Sequence, residues 1–302
     1  MVFRNADLPV LFHHADAVAV ARQREATGAV RRRLLLLVLG ALLASLPWRW
    51  RVGDSFQIVG ALSALAYAGV LLVTIRSAGR RARSHWQLNR SAAEFIKSMS
   101  WRYAVHGAPF DSAAANPGSL FTTRLESGLR ELKKVGWEDP RDSGEIGQGA
   151  AGELITPPMR MLREKPFAAR RETYVRDRLI EQRNWYHHRT VVSRRATSLW
   201  SAAITLLTLL ALLLAALRTF SLAGSAAVLG LLSASAAAAL AWSEVRRHQP
   251  LISAHSLVEE DLKTMHTAME TMVTEEQWAN AVYETERYVS PQHTDWLVRH
   301  QN

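Results

Sequence analysis

The chain has 302 residues, no cysteine, and 37 lysines and arginines against 27 acidic residues, a formal charge of +10. The missing thiols exclude disulfides, thiolate metal sites, iron–sulfur clusters and cysteine nucleophiles. A mean hydropathy of -0.06 conceals four stretches free of charged residues: Leu34–Pro47, Phe56–Ile75, Leu199–Leu217 and Leu222–Trp242.

About 20 apolar residues at 1.5 Å rise cross a hydrocarbon core. The stretches therefore predict an all-α integral membrane protein: two transmembrane hairpins, four spans, and long cytoplasmic helical arms. The arginines sit beside these spans. Arg31, Arg32 and Arg33 precede the first, Arg76, Arg80, Arg81 and Arg83 follow the second, Arg194 and Arg195 precede the third, and Arg246 and Arg247 follow the fourth. Only Arg49, Arg51 and Arg218 lie in the loops between paired spans. The positive-inside rule then places both termini and the middle segment in the cytoplasm of a multi-pass plasma-membrane protein. Attraction to anionic lipid headgroups accounts for the basic excess, and no aromatic-interleaved basic stripe argues for nucleic acid.

Along the chain, Leu8, Leu11, Phe12, Ala15, Val18 and Ala19 recur at helical spacing, with Asp7 as the expected N-cap and Pro9 in the first turn. This arm is expected to run toward Arg31 and to be retained, since a secretory signal would place its apolar region nearer the start. The first span is short, 14 residues from Leu34 to Pro47, so it must borrow length: Arg33 can snorkel, and Trp48 and Trp50 suit the outer interface. A re-entrant or buried helix is the competing reading. The second span needs an antiparallel partner, which favours a crossing.

After the second span, Ala92, Phe95, Ile96, Met99 and Tyr103 continue a helical period, with Glu94 and Lys97 as an i,i+3 ion pair, until His106-Gly107-Ala108-Pro109 ends it. The domain reading is 1–110 for a first two-transmembrane unit, 111–154 for a cytoplasmic linker with one possible helix at Leu120–Val135, and 155–302 for a second unit. The Gly144–Gly149 segment has no preceding strand and no following Lys-Ser/Thr, so it reads as linker rather than a phosphate loop.

In the second unit no glycine or proline interrupts Arg170 to Leu199, which predicts one helix running into the membrane. Beyond the fourth span Leu251, His255, Val258, Leu262, Met265, Met269 and Met272 form a heptad seam, expected to pair with a neighbouring helix of the same chain. Small residues stripe two spans, Gly60, Ala64 and Ala68 on the second and Ala226, Gly230, Ala234 and Ala238 on the fourth. Such stripes let backbones approach, either closing each hairpin or joining protomers.

No aspartate, glutamate, lysine, arginine or histidine lies within a span, which argues against a coupled transporter. The hydroxyls there, such as Ser63, Thr205 and Thr208, are expected to bond back to their own helices. His13-His14 and His187-His188 are adjacent pairs rather than the spacing that shares a metal, and Glu259-Glu260-Asp261 reads as a solvated acidic turn. The expectation is no enzyme, no cofactor and no metal.

The residues carry a family resemblance. Leu11-Phe12 with Ala15-Asp16, then Trp86, Arg90, Glu94, Lys97, Trp101, Tyr103 and Pro109-Phe110, resemble one branch of the SLATT two-transmembrane family over roughly 8–110. Over roughly 155–300, Tyr174, Arg178, Gln182, Trp185-Tyr186, Glu286 and Trp296 resemble another, the DUF4231-like branch. Resemblance to tandem SLATT domains implies a membrane effector of bacterial conflict systems, a homo-oligomer in the lipid bilayer that forms a pore or perturbs the membrane. It also implies a trigger from a separately encoded nucleotide sensor or nucleotide-signal synthase. The alternative is a non-conducting regulatory or scaffold membrane protein that recruits a cytosolic partner.

Overall fold

The computed structural model describes residues 2–46, 51–52, 56–78, 82–146, 153–219, 226–246, 248–271 and 273–289. The regular structure among these residues is helical apart from one two-residue antiparallel pairing, Arg51–Val52 with Phe56–Gln57. The helices are α1 (Val10–Ser45), α2 (Ile58–Ala78), α3 (Ala82–Ala104), α4 (Pro117–Lys134), α5 (Pro157–Arg163) and α6 (Phe167–Tyr174), followed by α7 (Glu181–Thr219), α8 (Ala226–Arg246), α9 (His248–Thr271) and α10 (Glu275–Val289). Between α6 and α7, Val175–Ile180 is wound as a π helix, so the run from Phe167 to Thr219 has no break. The chain divides into two compact units, one of Met1–Gln23, Arg83–Arg189 and Ala254–Asn302, the other of Arg24–Ala82 and Thr190–Ser253.

The second of these units holds the apolar helices. Among the described residues three are long and apolar enough to cross a membrane: Ile58–Arg76, the run ending at Thr219, and Ala227–Arg246. Leu199, Leu206, Leu209, Leu212 and Leu213 are all exposed on α7. In water such a surface would aggregate, whereas in hydrocarbon it is the solvated face. Leu34–Ser45 forms the end of α1 and does not join the three, because its uncharged run is too short. It nevertheless packs as a partner of α2. Ser63 Oγ donates to the Gly40 carbonyl at 2.9 Å, and a Cβ on Gly40 would lie 2.9 Å from Tyr67 Cζ. Absence of a side chain at Gly40 is what lets the two helices meet there.

The other unit is built on amphipathic helices around one apolar core. Asn116 caps α4 by accepting from the Ser119 amide at 3.0 Å, Pro117 fills the first turn, and Phe121, Leu125, Leu129 and Leu132 bury one face. The helix ends where Gly136 turns at φ 98° and Trp137 N–H reaches back to the Leu132 carbonyl at 3.0 Å. Trp137 then buries against α3, its indole donating to Asn89 Oδ1 at 3.1 Å. Buried Asp139 accepts from Arg141 and pairs with Lys133 at 2.9 Å, while Arg141 also reaches Glu126. Burial alone would raise the Asp139 carboxyl, but the Arg141 and Lys133 hydrogen bonds outweigh it and hold it at about 2. The stretch read as a linker thus supplies core side chains through Ile146. Gly147–Gly149 lie outside the described residues.

Local expectations differ in three places, the first being Ser63, which donates across to the Gly40 carbonyl rather than back to its own helix. Asp7 does not cap α1: its carboxylate accepts from the Arg4 amide at 2.7 Å within a short 3-10 turn, and the Pro9 carbonyl opens the helix by accepting from Phe12 N–H. Glu259-Glu260-Asp261 is no turn, because it lies inside α9, where Glu259 meets His187 at 2.8 Å and Glu260 meets Lys263 at 3.4 Å. The heptad seam buries Leu262 and Met269, with Val258 and Met265 packed against the same core. Met272, its last position, lies outside the described residues.

Candidate functional site

Polar groups buried in the helical core give the molecule its most unusual chemistry. A chain of aromatic edges prepares their surroundings. Phe3 stands edge-on to Trp101 at 4.7 Å, Trp101 to Tyr174 at 5.7 Å, and Tyr174 to Trp278 at 5.7 Å between ring centroids. Such contacts exclude water and fix the helices that carry the charges.

Arg178 lies in the π turn and is 1% exposed, and Glu286 on α10 is 2% exposed. Arg178 Nε donates to Glu286 Oε1 at 2.9 Å and Nη2 to Oε2 at 2.8 Å, a bidentate pair. Tyr174 O–H donates to the same Oε1 at 3.0 Å. Burial opposes the Arg178 charge, but Glu286 outweighs it and holds the guanidinium above its ordinary range. Burial, with Glu286 beside it, pushes the Tyr174 phenol well up, so the phenol keeps its proton. Arg178 Nη1 has no hydrogen-bond partner among the described residues.

Lys97 on α3 is a second buried cation. Burial, then the Arg178 charge, brings its ammonium down to about 8, against the pull of Glu94, Glu181 and Glu286. Glu94 is bridged by Arg90, whose Nη1 also reaches Asp16 Oδ1 at 2.9 Å. Glu94 is expected to pair with Lys97; the ion pair seen for it is with Arg90, which ties α1 to α3, and it acts on Lys97 through its charge.

A third group of cations cradles the turn after α3. Arg102 Nε donates to the Ala108 carbonyl at 2.7 Å, Arg163 Nη1 to Tyr103 O at 2.6 Å, and Arg170 Nη1 to Val105 O at 3.2 Å. The Trp278 indole donates to Val105 O at 2.6 Å. His106 sits at φ 63° with Nε2 3.0 Å from the Arg163 carbonyl, which can only accept, so Nε2 carries the proton. Burial, reinforced by Arg163 and Arg170, brings its imidazole down to about 4. These groups tie chain segments together. Among the described residues there is no cluster of three or more His, Asp or Glu able to hold a metal.

The remaining candidates divide by environment. Trp101, Tyr103, Lys97, Tyr174, Tyr186, Leu262 and Met269 are buried, and Trp86, Glu94, Gln182, Val258 and Met265 are half-buried. Trp185 is exposed, with the Arg189 guanidinium 5.0 Å from its ring centroid. Trp185 and Tyr186 both stand edge-on to His255 on α9, at 5.7 and 5.4 Å. Trp296 lies outside the described residues. Gly60, Ala64 and Ala68 are exposed, so this stripe does not close the first hairpin; Gly40 and Ser63 do. Ala234 and Ala238 are half-buried, Gly230 is exposed, and a Cβ there would meet nothing within 4 Å. The side chain of Ala226 lies outside the description. Sequence reasoning missed Gly40, Trp278 and the three carbonyl-binding arginines, whose roles depend on contacts distant in the chain.

Two tandem stretches of this chain match one family. Residues 9–171 match the SMODS and SLOG-associating 2TM effector domain 3, and residues 174–296 match the SMODS and SLOG-associating 2TM effector domain 1. The chain belongs to this SLATT family, with two tandem two-transmembrane effector domains, and is a multi-pass membrane protein. No curated protein and no solved structure matches. The division between the two stretches falls within α6, so an unbroken helix joins them. Resemblance positions far apart in sequence come together: Tyr174, Arg178 and Glu286 in a buried network, Asp16, Arg90 and Glu94 in a half-exposed one.

Proposed function

We propose that the chain is a membrane effector of a bacterial conflict system that oligomerises and opens the bilayer to ions when a separately encoded nucleotide-sensing partner signals to its helical arms. In this reading it spans the plasma membrane four times, with the end of α1 as the first crossing and both termini in the cytoplasm, and it performs no catalysis.

The observation that carries the reading is the open small-residue surface of the spans. Among the described residues nothing packs on Gly230, and Gly60, Ala64 and Ala68 are exposed, which leaves both faces open to close helix approach between protomers. Four uncharged helices fill their own centre, so a conducting path must run between copies. The family's association with nucleotide-signal domains supports an external trigger.

Overproduction in cells tests this directly. Collapse of membrane potential together with cross-linked oligomers supports the effector; an oligomer-free protein that leaves the potential intact, even with its sensor and signal present, replaces it with a recruiting scaffold.

A further inference from the structure

The π turn at Val175–Ile180 lies in the helical run that continues to Thr219, and a buried residue from far along the chain grips it. A π turn carries one residue more than the α helix needs, and π turns persist where side chains hold them. Here the holding group is visible. Arg178 and Tyr174, one inside the turn and one just before it, both bind the Glu286 carboxylate of α10. Arg178 spends two of its three nitrogens on that one group, and Nη1 is buried without a partner among the described residues. If Glu286 leaves, Arg178 remains as a buried cation beside Lys97 with no bidentate acceptor, and the turn that places it there loses its stabilising contact.

We propose that Glu286 is a latch: seated on Arg178 and Tyr174 it holds the π turn, and withdrawal of α10 lets that turn rewind as α helix, rotating the membrane-crossing part of the same run. One residue of register is about 100° of rotation and about 1.5 Å of advance. The presented face of Leu199–Leu217 therefore changes without any bending. The functional consequence rests on the effector reading, because rotation would bring a different stripe of the span to neighbouring protomers; the latch itself does not.

The cysteine-free chain permits a direct test. Spin labels placed singly at positions 200–211 report, through the periodicity of their oxygen accessibility in vesicles, which face of the span meets lipid. Glu286→Ala should shift the phase of that pattern by about 100°, one residue of helical register. Deleting Arg176 removes the extra residue, so the helix closes as α with the span in its original phase, and adding Glu286→Ala to that deletion should shift nothing. Exchanging the charges, Arg178→Glu with Glu286→Arg, should restore the original phase. Should Glu286→Ala fail to fold, Glu286→Gln, which keeps the shape, should show a mixture of the two phases. An unchanged phase in whichever Glu286 variant folds, or a phase shift in the deletion variant, overturns the latch. A shifted phase in ion-tight vesicles leaves the latch standing and counts against the effector reading.

Discussion

Trp101 stands edge-on to Tyr174 with ring centroids 5.7 Å apart, and the two residues belong to different tandem domains of the family. Both are buried in the one apolar core that also takes Phe3, Trp278 and Leu262. The tandem arrangement thus shares an interior rather than enclosing two. Trp101→Ala should cost about 3–5 kcal/mol, as truncation of a large buried aromatic does. Thermal unfolding in detergent checks it, since both domains should lose their cooperative transition together. Two separate transitions would show independent cores.

Lys97 makes stability depend on pH in a defined direction. Its ammonium falls from 10.5 in the unfolded chain to about 8 in the folded one, first through burial and then through Arg178. Between those values the unfolded state binds more protons, so stability rises as pH increases from about 8 toward 10.5. Below pH 8 the charged Lys97 carries its full cost, on the order of 3 kcal/mol. Denaturant unfolding at pH 7 and pH 9.5 should show the wild type gaining stability. In Lys97→Met that gain should vanish, with the neutral-pH stability raised. A wild type that is flat across this window would contradict the assignment.

Two helical glycines should respond in opposite ways to alanine. A Cβ at Gly128 would lie 2.2 Å from Phe95 Cζ, so Gly128→Ala must displace a core ring and should cost about 1–3 kcal/mol. A Cβ at Gly28 meets nothing within 4 Å, so Gly28→Ala should add up to about 1 kcal/mol through helix propensity. Melting temperatures of the two variants, compared side by side, decide the point. Phe95→Leu should recover part of the loss at Gly128.

The legibility of the chain follows the range of the interactions. Local periodicity was enough for α3, for the seam on α9, and for a helix at Leu120–Val135, found at Pro117–Lys134. The following segment carries isolated core anchors, Trp137 and Ile146, with no repeating pattern, so its place in the core was not readable. Arg178 and Glu286 could be singled out by resemblance, but a pair 108 positions apart has no local sign of contact. The π turn left no trace either, because it is imposed by distant partners rather than by residues that favour it. Gly40 sits alone in a leucine-rich run and becomes meaningful only when Tyr67 lies across it.

Topology offers a further check in this cysteine-free chain. Single cysteines at Asp54 and Thr219 should react with an impermeant reagent added outside intact cells, while one at Ser143 should be protected. The reverse pattern would invert the orientation derived from the arginines.

Ion flux through proteoliposomes tests the central claim most directly, with wild type compared against Gly230→Leu at equal protein content. Nothing among the described residues lies within 4 Å of a Cβ at Gly230, so a leucine there should leave the fold intact while holding neighbouring copies apart. Ions should leak through wild-type vesicles in the presence of sensor and signal, and that leak should be lost in Gly230→Leu together with the oligomer. Vesicles that stay ion-tight with the wild-type protein under those conditions would contradict it.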